Sequence, residues 1–116
     1  MVVFEKMANK KFAYSCIELL NKKGCLKRET LQILTSEDEC KRLFNCSKFP
    51  ILSEVSPGNG FNDDDCYDEH GRQRYYKEKV YADGRAFIVS NHWYGPNKSM
   101  PDNRTPFLAW VLQQIE

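Results

Sequence analysis

The sequence predicts a single α+β domain, and three observations carry that prediction. A chain of 116 residues with 41% hydrophobic and 13% aromatic side chains has enough apolar material for one core and too little length for a second domain. Apolar residues recur at helical spacing in residues 1–48, whereas residues 74–93 alternate around an Asp-Gly turn. Helices are therefore expected first along the chain, followed by a β-hairpin.

The first helix is expected from Asn9 to about Lys23. Asn9 is of a residue type favoured at the N-cap, and Gly24 is typical of a helix stop. The inner face of this helix is marked by apolar residues at four-residue spacing, which are Phe12, Cys16 and Leu20.

Two shorter helices are expected next, separated at Thr35-Ser36. The first spans Leu26 to Leu34. Ser36 and Glu39 have the spacing of a capping box, in which the hydroxyl and the carboxylate each satisfy a backbone N–H of the new helix. The third helix should then continue to about Asn45.

A change of pattern follows Phe49-Pro50, because a residue before proline is biased away from helix. The apolar residues between Ile51 and Val55 predict a brief strand or turn. Residues 56–71 contain a proline, glycines and many carboxylates, which together predict an acidic loop. Those carboxylates are Asp63, Asp64, Asp65, Asp68 and Glu69.

Residues 74–93 predict a hairpin whose type I′ turn contains Asp83 and Gly84. A two-residue turn defines the register and hence the two faces. The face expected toward the core carries Tyr76, Val80, Phe87 and Val89. The opposite face, expected toward solvent, carries Tyr75, Lys77, Lys79, Tyr81, Ile88 and His92.

A terminal helix is expected over residues 105–116, with Pro106 at its first position. It is apolar nearly all round, so it should be buried in the domain or dock onto a second chain. The second alternative would make it the contact of a homodimer or of a protein partner.

Charge and cysteine content exclude several classes of protein. A net charge of +1 rules out a histone-like composition, although residues 1–35 hold seven basic and three acidic side chains. No apolar run is long enough for a membrane span, and the first residues do not resemble a signal peptide, so we expect a cytoplasmic protein without a membrane partner. Five cysteines in that compartment indicate reduced thiols.

Neither a metal site nor a catalytic site is predicted, and no cofactor is expected. The cysteines lack the close pair with which a zinc site usually begins, although the spacing of Cys66 and His70 leaves that pair open as ligands. The acidic run lacks the spacing of an EF-hand loop. His70 and His92 are the only histidines available for acid–base chemistry, and no motif for a nucleophile accompanies them. A small enzyme with a site around these two histidines is a further alternative.

The order of elements resembles the winged-helix family of helix-turn-helix domains. The resemblance covers the first-helix stripe, the helix-turn-helix stretch Leu26 to Phe44 and the hairpin Arg74 to Trp93. It implies a non-catalytic DNA-binding module, within a transcription regulator or another DNA-handling protein, whose third helix enters the major groove while the wing contacts the backbone. The implied contacts to double-stranded DNA are Lys41, Arg42 and Asn45 on the helix, and Arg74, Lys77, Lys79 and Arg85 on the wing.

One feature departs from this pattern, since Glu37, Asp38 and Glu39 begin the supposed recognition helix. Carboxylates there stabilise the helix N-terminus but repel phosphate. An alternative is therefore a protein-interaction or dimerisation domain that does not bind DNA.

Overall fold

The computed structural model describes residues 4–46, 49–55, 63–96 and 98–116. Within these ranges the chain forms four α-helices: α1 (Asn9–Lys22), α2 (Arg28–Leu34), α3 (Glu37–Phe44) and α4 (Arg104–Gln114). It also forms three strands: β1 (Leu52–Val55), β2 (Val80–Ala82) and β3 (Arg85–Val89). The α+β class is thereby confirmed. Residues 56–62 of the predicted acidic loop lie outside the described part of the chain.

Helix α1 has the predicted inner face, but its N-terminus differs from the expectation. Its N-cap residue is Ala8, and the side chain of Asn9 forms no cap. Asn9 Nδ2 instead donates to the backbone oxygen of Trp93 at 3.0 Å. The oxygen that would have accepted from a local backbone N–H, Asn9 Oδ1, accepts instead from Arg104 Nη1 at 2.9 Å. At the other end, Gly24 takes a positive φ of 73°, as its role as a helix stop requires.

Helix α3 is capped by half of the predicted capping box. Ser36 Oγ accepts from the Glu39 backbone N–H at 3.2 Å. The reciprocal bond is replaced, because the Ser36 N–H donates to Ile33 O and the Glu39 carboxylate accepts from Arg42 Nη2 at 2.6 Å. The helix ends at Phe44, and its C-cap residue Asn45 has left-handed backbone angles with φ of 59°.

The three strands form an antiparallel sheet in the order β1-β3-β2. Asp83 and Gly84 both have positive φ, at 56° and 71°, which confirms the type I′ turn between β2 and β3. The first strand of the predicted hairpin is much shorter than expected. Ahead of β2, only an isolated bridge between Tyr75 and Ser90 continues the pairing.

Both faces of this sheet are buried, whereas the sequence predicted only one. Phe87 and Val89 face the main core, as expected. Ile88 lies on the face expected toward solvent, yet it is fully buried. A second cluster covers it, formed by Val55, Cys66, Tyr75, Ala86 and Ile88 with Phe49 packed against them. The expectation was wrong because residues 66–75 fold back over the sheet.

The main core lies between the sheet and the helices and is rich in aromatic rings. Phe107 of α4 packs against Trp93 and Phe44, with ring centroids 5.2 and 5.3 Å apart. Helix α4 begins at Arg104, one residue earlier than predicted, and Asp102 Oδ1 accepts from the N–H of its second residue. Phe107, Leu108 and Val111 are buried in the chain's own core, whereas Leu112 is 44% exposed. No helix in the described ranges has the length and apolar character to cross a membrane.

Candidate nucleic-acid interface

The two cations predicted for helix α3 lie on the surface beside carboxylates of the same helix. Lys41 Nζ is 3.3 Å from Glu37 Oε1, and Arg42 Nη2 is 2.6 Å from Glu39 Oε2. Exposed ion pairs of this kind contribute only about 0.2–1 kcal/mol to stability, so a phosphate can displace the carboxylate from the cation. The carboxylates nevertheless remain beside any bound phosphate. With three acidic and two basic side chains, α3 is negative overall.

Two further predicted DNA contacts are engaged with other parts of the protein. Asn45 Nδ2 donates to Asp102 O at 3.1 Å, which ties the end of α3 to the segment before α4. Arg85 binds Glu54 through two hydrogen bonds of 3.0 and 2.9 Å and lies 5.1 Å from the Phe87 ring centroid. The bonds from Arg85 lower the pKa of Glu54. Arg85 therefore links two strands of the sheet.

Arg74 is held inside a small polar cluster instead of projecting from the wing. Its Nε donates to Asp68 Oδ2 at 2.7 Å, and its Nη1 lies 2.8 Å from His92 Nε2. The guanidinium also lies 5.0 Å from the Phe49 ring centroid. The backbone N–H of Arg72 and the side chain of Arg74 lower the pKa of Asp68. Only 20% of the Arg74 side chain is accessible, so phosphate contact there requires the cluster to open.

The two histidines differ in exposure, and no hydrogen bond joins their rings among the described residues. His92 is half-buried, and burial together with Arg74 lowers its pKa. Its ring packs edge-on against Phe49 at 5.7 Å. His70 is exposed and contacts Glu69, with 3.5 Å between Nε2 and Oε1. Asp68 connects the two segments, because its carboxylate accepts from the His70 backbone N–H at 2.8 Å and from Arg74 Nε at 2.7 Å.

The cysteines have packing partners within the described structure. Cys40 Sγ accepts from the Ile51 N–H at 3.5 Å, and Cys66 Sγ donates to Tyr76 O at 3.6 Å. Cys66 is fully buried under the sheet, whereas His70 is exposed. Among the residues that the structure describes, no group of three or more His, Cys, Asp or Glu side chains is placed to hold a metal ion.

The edge of the wing, residues 77–81, runs along helix α1. Lys10 Nζ contacts Glu78 Oε1 at 2.7 Å, and the Tyr14 hydroxyl donates to Glu78 O at the same distance. Farther along, Asn21 Nδ2 donates to Tyr81 O at 3.1 Å. These contacts make α1 and the wing edge one continuous surface. Lys77 and Lys79 belong to this edge.

A group of cations extends this surface where α1 meets α2. We call it the turn cluster; its members are Lys22, Lys23, Lys27 and Arg28. All four are exposed, and none forms an ion pair with a residue in the described ranges. Glu29 is the one carboxylate in residues 22–29. The basic excess of residues 1–35 is visible in the sequence, whereas the helix-turn-helix resemblance implies contacts on α3.

Comparison with models of known protein families, with curated proteins and with solved structures found no match. The arrangement of four helices and a small antiparallel sheet is compatible with a winged-helix layout.

Proposed function

We propose that this protein is a non-catalytic DNA-binding module of winged-helix type that contacts phosphates through the turn cluster and the wing edge. The observation that carries the proposal is the turn cluster. Four exposed cations with no carboxylate partner in the described structure lie within seven consecutive residues, 22–28. Binding phosphate there releases condensed counterions from DNA without first separating an ion pair.

The wing edge supports the proposal because it continues the same basic surface. The hydrogen bond from Asn21 to Tyr81 O joins the last turn of α1 to the wing. Lys77 and Lys79 precede Tyr81 on this edge, and the tyrosine ring is 56% exposed. Two cations and an exposed ring suit contact with a sugar-phosphate backbone.

Helix α3 has a smaller part in this proposal than the family resemblance implies. Its net negative charge weakens long-range attraction to DNA, and its first turn carries Glu37, Asp38 and Glu39. Lys41 and Arg42, each beside a carboxylate of α3, contribute little to binding in this proposal. Binding of modest affinity and little sequence preference is the expected result.

Fluorescence anisotropy of a labelled random-sequence duplex tests the proposal. Binding should weaken steeply between about 50 and 200 mM salt, because each phosphate contact contributes about −0.9 to the slope of log K against log salt. Replacing Lys23 and Lys27 together by glutamine should reduce the slope by about 2. The matched control replaces Lys41 and Arg42 by glutamine, which removes the same charge from α3.

Two results would contradict the proposal. Absence of binding at low salt would remove DNA as the ligand and favour a protein partner for the acidic start of α3. If the control variant loses as much of the slope as the turn-cluster variant, α3 contacts phosphate as extensively as the turn cluster does.

A further variant tests the wing edge. Replacing Lys77 and Lys79 by glutamate should weaken DNA binding while the circular dichroism spectrum stays unchanged. Unchanged DNA binding would show that the wing edge makes no contact with DNA.

A further inference from the structure

Cys40 and Cys46 lie side by side at the C-terminal end of α3, and both are free thiols. Asn45 has a left-handed backbone conformation, which turns the chain back toward the last turns of the helix. The Cys46 N–H thereby donates to Cys40 O at 3.2 Å. The two cysteines are six positions apart in the sequence but are neighbours in the fold.

The thiol groups of these two residues also contact each other. A hydrogen bond between them lowers the pKa of Cys40 and raises the pKa of Cys46. Cys40 Sγ accepts another hydrogen bond, from the Ile51 N–H at 3.5 Å, which likewise favours the thiolate form of Cys40. Because the side chains already meet, a bond between the two sulfur atoms requires little movement of the backbone.

The two thiols differ in accessibility. Cys40 is fully buried, whereas Cys46 is half-buried and packs at the margin of the main core. A reagent in solution therefore reaches Cys46 first. The raised pKa of Cys46 keeps this thiol protonated, so its reaction near neutral pH should be slow.

We propose that Cys40 and Cys46 form a reversible disulfide by exchange with a low-molecular-weight disulfide such as oxidised glutathione. In the first step the Cys46 thiolate attacks one sulfur of the reagent, so that a mixed disulfide forms and one glutathione thiolate leaves. In the second step the Cys40 thiolate attacks the Cys46 sulfur, and the other glutathione thiolate leaves. The protein loses two protons and two electrons, and the reagent becomes two molecules of reduced glutathione. No residue of the turn cluster or the wing edge takes part, so the proposal holds or fails independently of DNA binding.

Peptide mapping of the full chain, equilibrated in a glutathione redox buffer at about pH 8, tests the proposal. Lys41 and Arg42 lie between the two cysteines, so trypsin separates Cys40, in residues 29–41, from Cys46, in residues 43–48. With free thiols alkylated before digestion, mass spectrometry detects the disulfide as these two peptides joined. We expect the joined peptides to accumulate as the share of oxidised glutathione rises and to disappear after reduction. Peptides that stay separate in the most oxidising buffer would overturn the proposal.

The same equilibration in concentrated urea shows whether the fold favours the bond. The folded chain holds the thiols in contact, whereas the unfolded chain must first bring them together. We therefore expect the equilibrium constant for disulfide formation to be at least about tenfold larger in the folded chain. An equal or smaller constant in the folded chain would overturn the assignment of this pair.

Three variants test the order of the two steps. Cys40→Ser should stop the exchange at the mixed disulfide, so that residues 43–48 carry one glutathionyl group. Cys46→Ser should leave Cys40 unmodified, because Cys40 is fully buried. The matched control is Cys25→Ser, at another half-buried cysteine, whose Sγ donates to Gln114 O at 3.2 Å; it should form the joined peptides as the unsubstituted chain does. Glutathionylation of Cys40 in the Cys46 variant, or loss of the joined peptides in the control, would contradict the proposed exchange.

Discussion

Replacement of Ile88 by alanine distinguishes a sheet buried on both faces from a sheet buried on one face, through its effect on the free energy of unfolding. Ile88 is fully buried between Tyr75, Ala86 and the neighbouring residues of the second cluster. Truncation of a buried isoleucine to alanine destabilises proteins by about 2–5 kcal/mol, through lost burial and the remaining cavity. A one-sided sheet would place this side chain in water, where the change costs less than about 0.5 kcal/mol.

The assay is urea denaturation followed by tryptophan fluorescence, since Trp93 is buried in the main core. Ile88→Val provides a graded comparison, because removal of a single methylene should cost about 0.5–1.5 kcal/mol. Val89→Ala tests the opposite face of the sheet and should lower the free energy of unfolding in either arrangement. A change below about 0.5 kcal/mol for Ile88→Ala, with a clear loss for Val89→Ala, would refute the two-sided sheet.

Two further predictions concern the cap of α3 and the half-buried histidine. Ser36→Ala removes the acceptor of the Glu39 N–H and should lower the free energy of unfolding by about 1 kcal/mol, measured by urea denaturation; an unchanged midpoint would exclude the cap. The folded state lowers the pKa of His92 below its ordinary value of 6.5, through burial and Arg74, so the unfolded chain binds the proton more readily and stability should fall as pH decreases through about 6.5. His92→Gln should make that decline shallower in thermal melts from pH 7.5 to 5, and an identical decline would show that other groups cause it.

The helices were predicted well because their signals are local. The stripe of α1 and the hydroxyl of Ser36 act over three or four residues, and the structure places both as expected. The prediction failed where a side chain that could bond to its own helix bonds instead to a distant segment. Asn9 was expected to cap its own helix, but its amide bonds to Trp93, which is 84 residues away.

The hairpin shows the same division between local and distant interactions. The Asp-Gly turn was predicted because its two residues favour positive φ by themselves. The length of the first strand was not predicted, because the backbone at Glu78 bonds to Tyr14 of α1 instead of continuing the sheet. The burial of Ile88 depends on residues that fold over it from elsewhere in the chain.

For the candidate site, the sequence located the cations but not their surroundings. Lys41, Arg42 and Arg85 each have a carboxylate partner in the structure, whereas the turn cluster has none among the described residues. The partners of Lys41 and Arg42 lie four and three residues away, at helical spacing, so those two pairs were foreseeable. The partner of Arg85 is 31 residues distant, and the sequence offered no signal for it.

The sequence by itself determined the α+β class, the helical segments, the tight turn of the wing and the concentration of positive charge in its first third. Each of these depends on neighbours within a few residues, through backbone propensity, side-chain periodicity or composition. The tertiary structure alone decided that both faces of the sheet are covered and that Arg74 and Arg85 meet their carboxylate partners. Those outcomes depend on contacts between segments far apart in the chain, and only close packing of the whole domain selects them.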